Sequence, residues 1–270
     1  MATTVAAYHG CDTNYSPYSD SCVDDFYLGE MGLGTVIGDS TVVDTANCVT
    51  FSNAGDTGNT NAYAGDVITL NNSENTYGFW FLLGPKFANE ASLPAQYPCG
   101  YGYSVSAVST VDEAFSWGVA QAVAAASAVG QNGPYPNIKR STIFCDVEGG
   151  SNAGWYTSAD GTVNGNPWYA YNRAVIQGFM EKMVTISYPS GGTFHVGIYI
   201  SPGNYTAITD SMSLSNLTSH LWLADWFDSL ANECYPNWTP PSLGGVATQI
   251  WQYYSNQSTI DIDAAISLPD

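Results

Sequence analysis

The sequence predicts an α/β fold: a single TIM-like (β/α) barrel whose strands are covered on the outside by helices. Predicted strands and helices alternate through the middle of the chain, and this order is typical of a parallel sheet with right-handed crossovers. The predicted strands are nearly continuous apolar runs that end in polar residues, as expected for strands buried on both faces. A chain of 270 residues suits one such barrel, so we expect a single domain over residues 1–270.

The first predicted strand covers residues 5–12 and ends in Asp12. Residues 22–76 are rich in glycine, asparagine and aspartate between short β-like runs, and we interpret them as a turn-rich insertion. Two further buried strands are predicted at residues 77–83 and 100–105.

Two helices have clear start signals. Thr110 and Glu113 have the spacing of a capping box, which predicts a helix through Ala128 that stops at Gly130. Asn166 and Pro167 supply an N-cap and a first-turn proline for a second helix. Its apolar residues recur at three- and four-residue spacing up to Ile186, which predicts an amphipathic helix.

The last part of the chain has strands with little helix between them. Strands are predicted at residues 194–200, 221–226, 246–254 and 260–264, with one short helix near residues 204–210. We therefore expect a barrel whose irregular last strands lack regular helices.

One stretch, residues 141–150, carries the strongest chemical signal. An apolar run leads into Asp146 and Glu148 and then into two glycines. Side chains alternate along a strand, so these two carboxylates point to the same side. Like charges held close raise the pKa of one carboxyl, which leaves one acid and one anion.

The composition excludes several classes of partner. Only 5 Lys and Arg residues stand against 24 Asp and Glu, and the formal net charge is −19. Nucleic acids and anionic membrane surfaces both require cationic contacts, so neither is expected as a partner. The longest apolar run, residues 77–83, is too short to span a bilayer. Neither a phosphate-binding loop nor zinc-ligand spacing is present, so we predict no cofactor and no metal.

Six cysteines without a C-x-x-C pair suit disulfides formed in an oxidising compartment. Their connectivity is left open by the sequence, and Cys145 is expected to be a plain buried thiol. Together with a composition low in lysine and high in Tyr, Thr, Ser, Asn and Gly, the cysteines predict a secreted, extracellular protein.

Acidic and aromatic residues gather at the predicted strand ends, where parallel barrels place their functional side chains. Aromatic faces pack on the C–H faces of sugars, and paired carboxylates drive glycosidic cleavage. We predict Glu148, Asp146, Asp12 and Asp261 as catalytic residues. The predicted substrate-binding residues are Tyr199, Trp222, Asp225, Trp251 and Tyr253.

Several ordered stretches resemble the family-25 glycoside hydrolases, the lysozyme-type muramidases, and the related uncharacterised glycoside-hydrolase-like barrels. The matching stretches are Gly10-Cys11-Asp12, Ile143 to Glu148, Val196 to Tyr199, Leu221 to Ala224, Trp251-Gln252-Tyr253 and Ile260 to Asp263. The family's usual second-strand motif is absent from residues 22–100, and Asp225-Trp226 stands where the family commonly continues toward tyrosine.

The resemblance implies a hydrolase that cuts a cell-wall polysaccharide, most plausibly peptidoglycan. It implies that Glu148 is the proton donor and that Asp146 orients the substrate or stabilises positive charge, with Asp12 and Asp261 completing the pocket. Whether the reaction retains or inverts the anomeric configuration depends on the separation of the carboxylates. Two alternatives use the same barrel without catalysis: an extracellular glycan-binding protein, or a structural protein that assembles with other copies.

Overall fold

The computed structural model describes residues 6–13, 25–33, 41–44, 49–52, 75–86, 108–129, 138–150, 153–227, 230, 234–237, 239–255 and 261–270. Eight of the described strands form a closed barrel: β1 (Tyr8–Thr13), β2 (Phe26–Leu33), β5 (Thr76–Phe81), β6 (Thr142–Asp146), β9 (His195–Ile200), β10 (His220–Ala224), β11 (Thr248–Ser255) and β12 (Asp261–Ala265). Their order around the barrel is β1-β12-β11-β10-β9-β6-β5-β2. Neighbouring strands from β1 through β11 pair in parallel, and only β12 of these eight runs antiparallel to both of its neighbours. This topology confirms the predicted barrel.

In the described part of the chain, two small hairpins lie outside the barrel sheet. The first joins β3 (Thr41–Asp44) to β4 (Val49–Ser52), and the second joins β7 (Thr162–Val163) to β8 (Asn166–Pro167). A short 3-10 helix, Ser158–Asp160, precedes the second hairpin.

The α-helices among the described residues follow the predicted order: α1 (Val111–Ala128), α2 (Trp168–Met183) and α3 (Pro202–Thr209). The capping box at the start of α1 is confirmed, since Glu113 N–H donates to Thr110 Oγ1 at 3.1 Å and Thr110 N–H donates to Glu113 Oε2 at 3.0 Å. Helix α2 begins one residue later than predicted, with Pro167 as N-cap. It also ends at Met183, before Ile186.

The region predicted as a turn-rich insertion contains a barrel strand, which corrects that prediction. Strand β2 pairs in parallel with β1 on one side and with β5 on the other. Its apolar residues Phe26, Tyr27 and Leu28 are all buried because the strand is covered on both faces. Such a short run shows no alternation, and glycines beside it look like turn signals. The strand predicted at residues 100–105 lies outside the described residues.

Helices α1 and α2 pack against each other at two glycines. A side-chain carbon on Gly118 would collide with the backbone of Val175, and one on Gly178 would collide with the backbone of Phe115. The two backbones therefore approach more closely than any larger residue would permit.

The barrel interior is filled by large side chains, which confines the polar site to one end. Phe26, Leu28, Tyr77, Phe79, Phe144 and Trp222 belong to this interior cluster. Gly197 makes room for the Phe144 ring, which occupies the position where a side chain on β9 would otherwise stand. The acids described next lie above this apolar plug.

Candidate active site

Strand β6 delivers two carboxylates to one side, as predicted. Cys145 and Val147 are fully buried in the outer core beneath the helices. Asp146 and Glu148 alternate with them, so both face the barrel interior. Cys145 is a buried thiol, which confirms that prediction, and its pKa is raised by burial and then by the Asp146 carboxylate.

Sheet register brings residues that are remote in sequence to the same end of the barrel. Asp146 is opposite Tyr199, and Ala224 is opposite Gln252. Asp261 is the first residue of the antiparallel strand β12 and is opposite Asp12 near the end of β1. The single reversed strand therefore contributes its beginning to the end of the barrel where the parallel strands finish.

The Tyr199 hydroxyl lies close enough to all four predicted catalytic acids for each of them to influence its pKa. Burial raises the pKa of Tyr199 well above its ordinary value. The carboxylates of Glu148, Asp146, Asp12 and Asp261 raise this pKa further, in that order of size. One phenol oxygen thus feels the field of all four acids, which means that they converge on a single site.

Gln252 connects this hydroxyl to two of the acids. Its side chain is 1% exposed, and its Oε1 accepts from the Tyr199 hydroxyl at 2.8 Å. Its Nε2 donates to Asp12 Oδ2 at 2.7 Å and reaches Asp261 Oδ2 at 3.4 Å. The Trp226 indole N–H also donates to Oε1, at 2.6 Å. Donors face one end of the amide and acceptors face the other, so its orientation is fixed.

The pKa of the Glu148 carboxyl is raised above its ordinary value. Burial is the main reason that its pKa is raised, and the negative charge of Asp261 raises it further. A hydrogen bond from Tyr199 opposes this rise. The sequence predicted a raised pKa from repulsion by Asp146, but burial and Asp261 are the causes in the structure. The result is a carboxyl that keeps its proton to a higher pH than an ordinary glutamate.

Asp12 forms a second carboxyl pair, deeper in the barrel, with Asp263. Burial raises the pKa of Asp12 well above its ordinary value, and the charges of Asp263 and Asp261 add to this effect. A hydrogen bond to Asp263 also favours the protonated form of Asp12. Asp263 is fully buried and accepts a hydrogen bond from Trp222 Nε1 at 2.8 Å. These effects favour the protonated form of Asp12, in which its hydroxyl can donate to the Asp263 carboxylate.

The predicted substrate-binding residues divide into three groups. Tyr199 belongs to the acid network, and Asp225 is beside it, with its backbone N–H donating to the Gln252 carbonyl at 3.1 Å and its pKa raised by burial. Trp222 is 1% exposed, beneath the acids, with its ring centroid 4.3 Å from that of Tyr199. Trp222 is thus part of the floor, which corrects the prediction that its ring contacts substrate.

Trp251 and Tyr253 are on the opposite face of the barrel wall, which corrects their predicted role. Both are buried in a separate outer cluster with Ile262 and Ala264. Their rings are 5.2 Å apart, and Trp251 Nε1 donates to the Asp225 carbonyl at 2.8 Å. They alternate with Gln252 along β11, so when Gln252 faces the site they face away from it.

Three residues of the site were missed by the sequence prediction: Gln252, Asp263 and Trp226. The sequence did contain a signal for Gln252. A polar residue between two large aromatic residues on a strand lies on the face opposite to theirs, so Gln252 could have been assigned to the polar face. Asp263 shares the face of Asp261 for the same reason. The inward N–H of Trp226 had no comparable signal, because this residue follows the end of β10.

Cys234 is disulfide-bonded. No group of three or more His, Cys, Asp and Glu residues in the described part of the chain is arranged to hold a metal ion. None of the helices among the described residues combines the length and apolar character needed to cross a bilayer.

The fold and the site together define a barrel protein with a cluster of buried acids at the carboxyl ends of its strands. In such a cluster the pKa values of the carboxyl groups differ, so that some groups keep a proton while others are anions. Acid-catalysed bond cleavage requires both kinds of group.

Comparisons with known proteins give structural likenesses only. No protein-family model matches the chain, and no curated protein matches it. Among solved structures, it is similar to a bacterial lysozyme from Streptomyces coelicolor, with 15% identity, a TM-score of 0.48, and coverage of 96% of this chain and 92% of that one. A muramidase from Acremonium alcalophilum has 16% identity and a TM-score of 0.49, and the match covers 95% of this chain and 92% of the muramidase. A family GH25 lysozyme from Aspergillus fumigatus has 14% identity, a TM-score of 0.47 and coverage of 96% and 93%. Likenesses this distant leave the activity of the chain to be argued from its own residues.

Proposed function

We propose that this protein is a secreted glycoside hydrolase that cleaves a cell-wall polysaccharide. The observation that carries the proposal is the position of the four acids relative to Tyr199. Asp146 is its neighbour in the sheet, Glu148 shares a hydrogen bond with it, and Gln252 links it to Asp12 and Asp261. A glycosidase needs one carboxyl that is protonated at working pH and a second group that supports positive charge on the sugar. The raised pKa of Glu148 meets the first requirement.

Glu148 is the proton donor in this proposal. Its carboxyl proton passes to the glycosidic oxygen as the bond between that oxygen and the anomeric carbon breaks, which leaves Glu148 as a carboxylate. Burial of Glu148 and the negative charge of Asp261 favour the protonated carboxyl in the resting site, and the hydrogen bond with Tyr199 opposes them. The Tyr199 hydroxyl itself donates to Gln252 Oε1 at 2.8 Å.

Asp146 is the stabilising carboxylate. It is on the same strand face as Glu148, and it is 4% exposed, so its charge acts in a medium of low dielectric constant. There it would stabilise the oxocarbenium-like charge on the sugar ring or orient an acetamido group of the substrate. Asp12 and Asp261 complete the pocket, and the negative charge of Asp261 raises the pKa of the donor.

Peptidoglycan is the proposed polysaccharide, because the ordered sequence motifs resemble those of muramidases. Extracellular work is supported by the disulfide at Cys234 and by the low content of lysine and arginine.

Hydrolysis of purified cell walls tests the proposal through Glu148→Gln, which keeps the side-chain volume but removes the transferable proton. We expect the release of new reducing ends to fall by at least about 100-fold, the usual contribution of a positioned general acid. Glu181→Gln is the matched control, since Glu181 is exposed on α2, and it should hydrolyse at the wild-type rate.

Circular dichroism and thermal melts should show that both variants fold. Undiminished turnover by Glu148→Gln would end the assignment. Binding of cell walls by the wild-type protein without any release of reducing ends would favour the glycan-binding alternative instead.

A further inference from the structure

Trp226 is a half-exposed aromatic residue at the mouth of the acid site. Its side chain is 51% exposed, although most large apolar side chains of the described residues are buried. Only its indole nitrogen points inward, where it donates to Gln252 Oε1 at 2.6 Å. The polar edge of the ring is therefore satisfied inside the site while half of the side chain remains open to solvent.

The backbone around Trp226 is fixed to strand β11. The Asp225 N–H donates to the Gln252 carbonyl at 3.1 Å, and the Phe227 N–H donates to the Tyr253 carbonyl at 2.7 Å. Trp226 thus has a hydrogen-bonded neighbour on each side and a third hydrogen bond through its own indole. Such a ring loses little further freedom when a ligand binds, which favours affinity.

We propose that Trp226 is the sugar-stacking platform of this pocket and that Gln252 is the positioning residue that holds it in a fixed relation to the acids. The ligand class is a pyranose of the polysaccharide backbone, whose C–H face packs on the electron-rich face of the indole. The inference rests on the proposed function, since it concerns the same pocket.

Gln252 provides the geometric link. The same amide that accepts from Trp226 donates to Asp12 and Asp261 and accepts from Tyr199, which contacts Glu148. A sugar resting on Trp226 is therefore placed at a set distance from the proton donor. An aromatic residue without this link would bind sugars but would not fix where the glycosidic bond lies.

Binding of chitotetraose, a soluble oligomer of N-acetylglucosamine, tests the platform independently of cleavage. Calorimetry is done in the Glu148→Gln background, so that the ligand stays intact. We expect Trp226→Ala to raise the Kd at least about tenfold, which corresponds to about 1.4 kcal/mol. Trp226→Phe keeps a ring and should stay within about threefold of the parent.

Tyr235→Ala is the matched control. Tyr235 is also an exposed aromatic residue, 45% exposed, but its neighbours are His9 and Asp25, near the starts of β1 and β2, at the end of the barrel opposite the acids. Its removal should leave the Kd unchanged. Equal Kd values for Trp226→Ala and the parent, or equal losses in both alanine variants, would overturn the platform.

Sedimentation with purified peptidoglycan is the second probe, and absence of binding to both probes by the parent protein would also overturn the inference.

The inference and the proposed function fail separately. Hydrolysis with an unchanged KM in Trp226→Ala would refute the platform alone, whereas binding that depends on Trp226 without hydrolysis by the wild-type protein would refute the hydrolase alone.

The positioning role of Gln252 has its own readout. At mildly acidic pH, Gln252→Glu keeps an oxygen acceptor for Trp226 and Tyr199 and, when protonated, an O–H donor toward Asp12. Gln252→Met keeps the length of the side chain but loses both the acceptor and the donor. We expect Gln252→Met to weaken chitotetraose binding several-fold and Gln252→Glu to retain it. The loss of affinity caused by Gln252→Met should be smaller when it is introduced into the Trp226→Phe variant. Equal losses in both variants, unaffected by Trp226→Phe, would show that Gln252 acts only through general stability.

Discussion

Asp12→Asn should stabilise the folded protein at neutral pH, because asparagine reproduces the hydrogen bonds of a protonated aspartate. Asp12 accepts from Gln252 Nε2 at 2.7 Å and, when protonated, donates to Asp263. The asparagine oxygen can take the first of these bonds and its amide nitrogen can make the second. The variant therefore keeps both contacts and removes the ionisation that burial and two neighbouring acids oppose.

The pH dependence of this stabilisation follows from the direction of the pKa shift of Asp12. The pKa of Asp12 is raised by folding, so its contribution to stability is complete below the unfolded pKa of about 3.9 and is lost as the pH rises through the folded pKa. Each unit of increase corresponds to about 1.4 kcal/mol above both pKa values. For a chain of this size, each kcal/mol moves the melting temperature by about 2–4 °C. Asp12→Asn should therefore melt higher than the wild type by an amount that grows with pH.

Thermal unfolding from pH 3.5 to 8 measures this difference directly. Near pH 3.5 the two proteins should melt together, and at pH 7 the variant should be several degrees more stable. Asp112→Asn is the control, because Asp112 is exposed in the first turn of α1 and should give no stabilisation at any pH. A variant that is less stable than the wild type at pH 7, or a difference that does not change with pH, would refute the proposed state of Asp12.

Two further predictions concern the donor and the helices. Asp261→Asn removes the negative charge that raises the pKa of Glu148, so the basic limb of the pH–rate profile for cell-wall hydrolysis should move to lower pH; an upward shift would contradict the coupling. Gly178→Ala places a carbon against the Phe115 carbonyl and should destabilise the fold by about 1–3 kcal/mol in urea unfolding. Gly203→Ala, which meets only one atom near van der Waals distance, should be neutral or slightly stabilising; similar losses in both would show that the α1–α2 contact is not specially close.

Local signals were sufficient to predict much of this molecule from its sequence. The capping box at Thr110 and Glu113 fixes the start of α1 through contacts between neighbours in the chain. Asp146 and Glu148 face the same side because alternation along a strand is also local. The strand order along the chain then predicts a barrel, which the topology confirms.

The remaining features depend on contacts between distant parts of the chain. The charge that raises the pKa of Glu148 comes from Asp261, on a strand with which β6 makes no ladder. Trp251 and Tyr253 point away from the site because Gln252, between them on β11, points toward it. Which of the two faces of β11 lines the barrel interior is decided by its contacts with distant strands. Strand β2 was mistaken for an insertion because a short apolar run beside glycines does not reveal its two covered faces.

The pairing of the barrel's first strand with its last described strand has a consequence for the order of events in synthesis. Asp12 emerges from the ribosome early, but its partner strand β12 emerges only after all the other barrel strands. Asp261 and Asp263 arrive with that strand, so their repulsion with Asp12 begins only when the barrel closes. A nascent chain can therefore assemble most of the barrel wall before it meets this repulsion, and a mildly acidic medium should ease the last step.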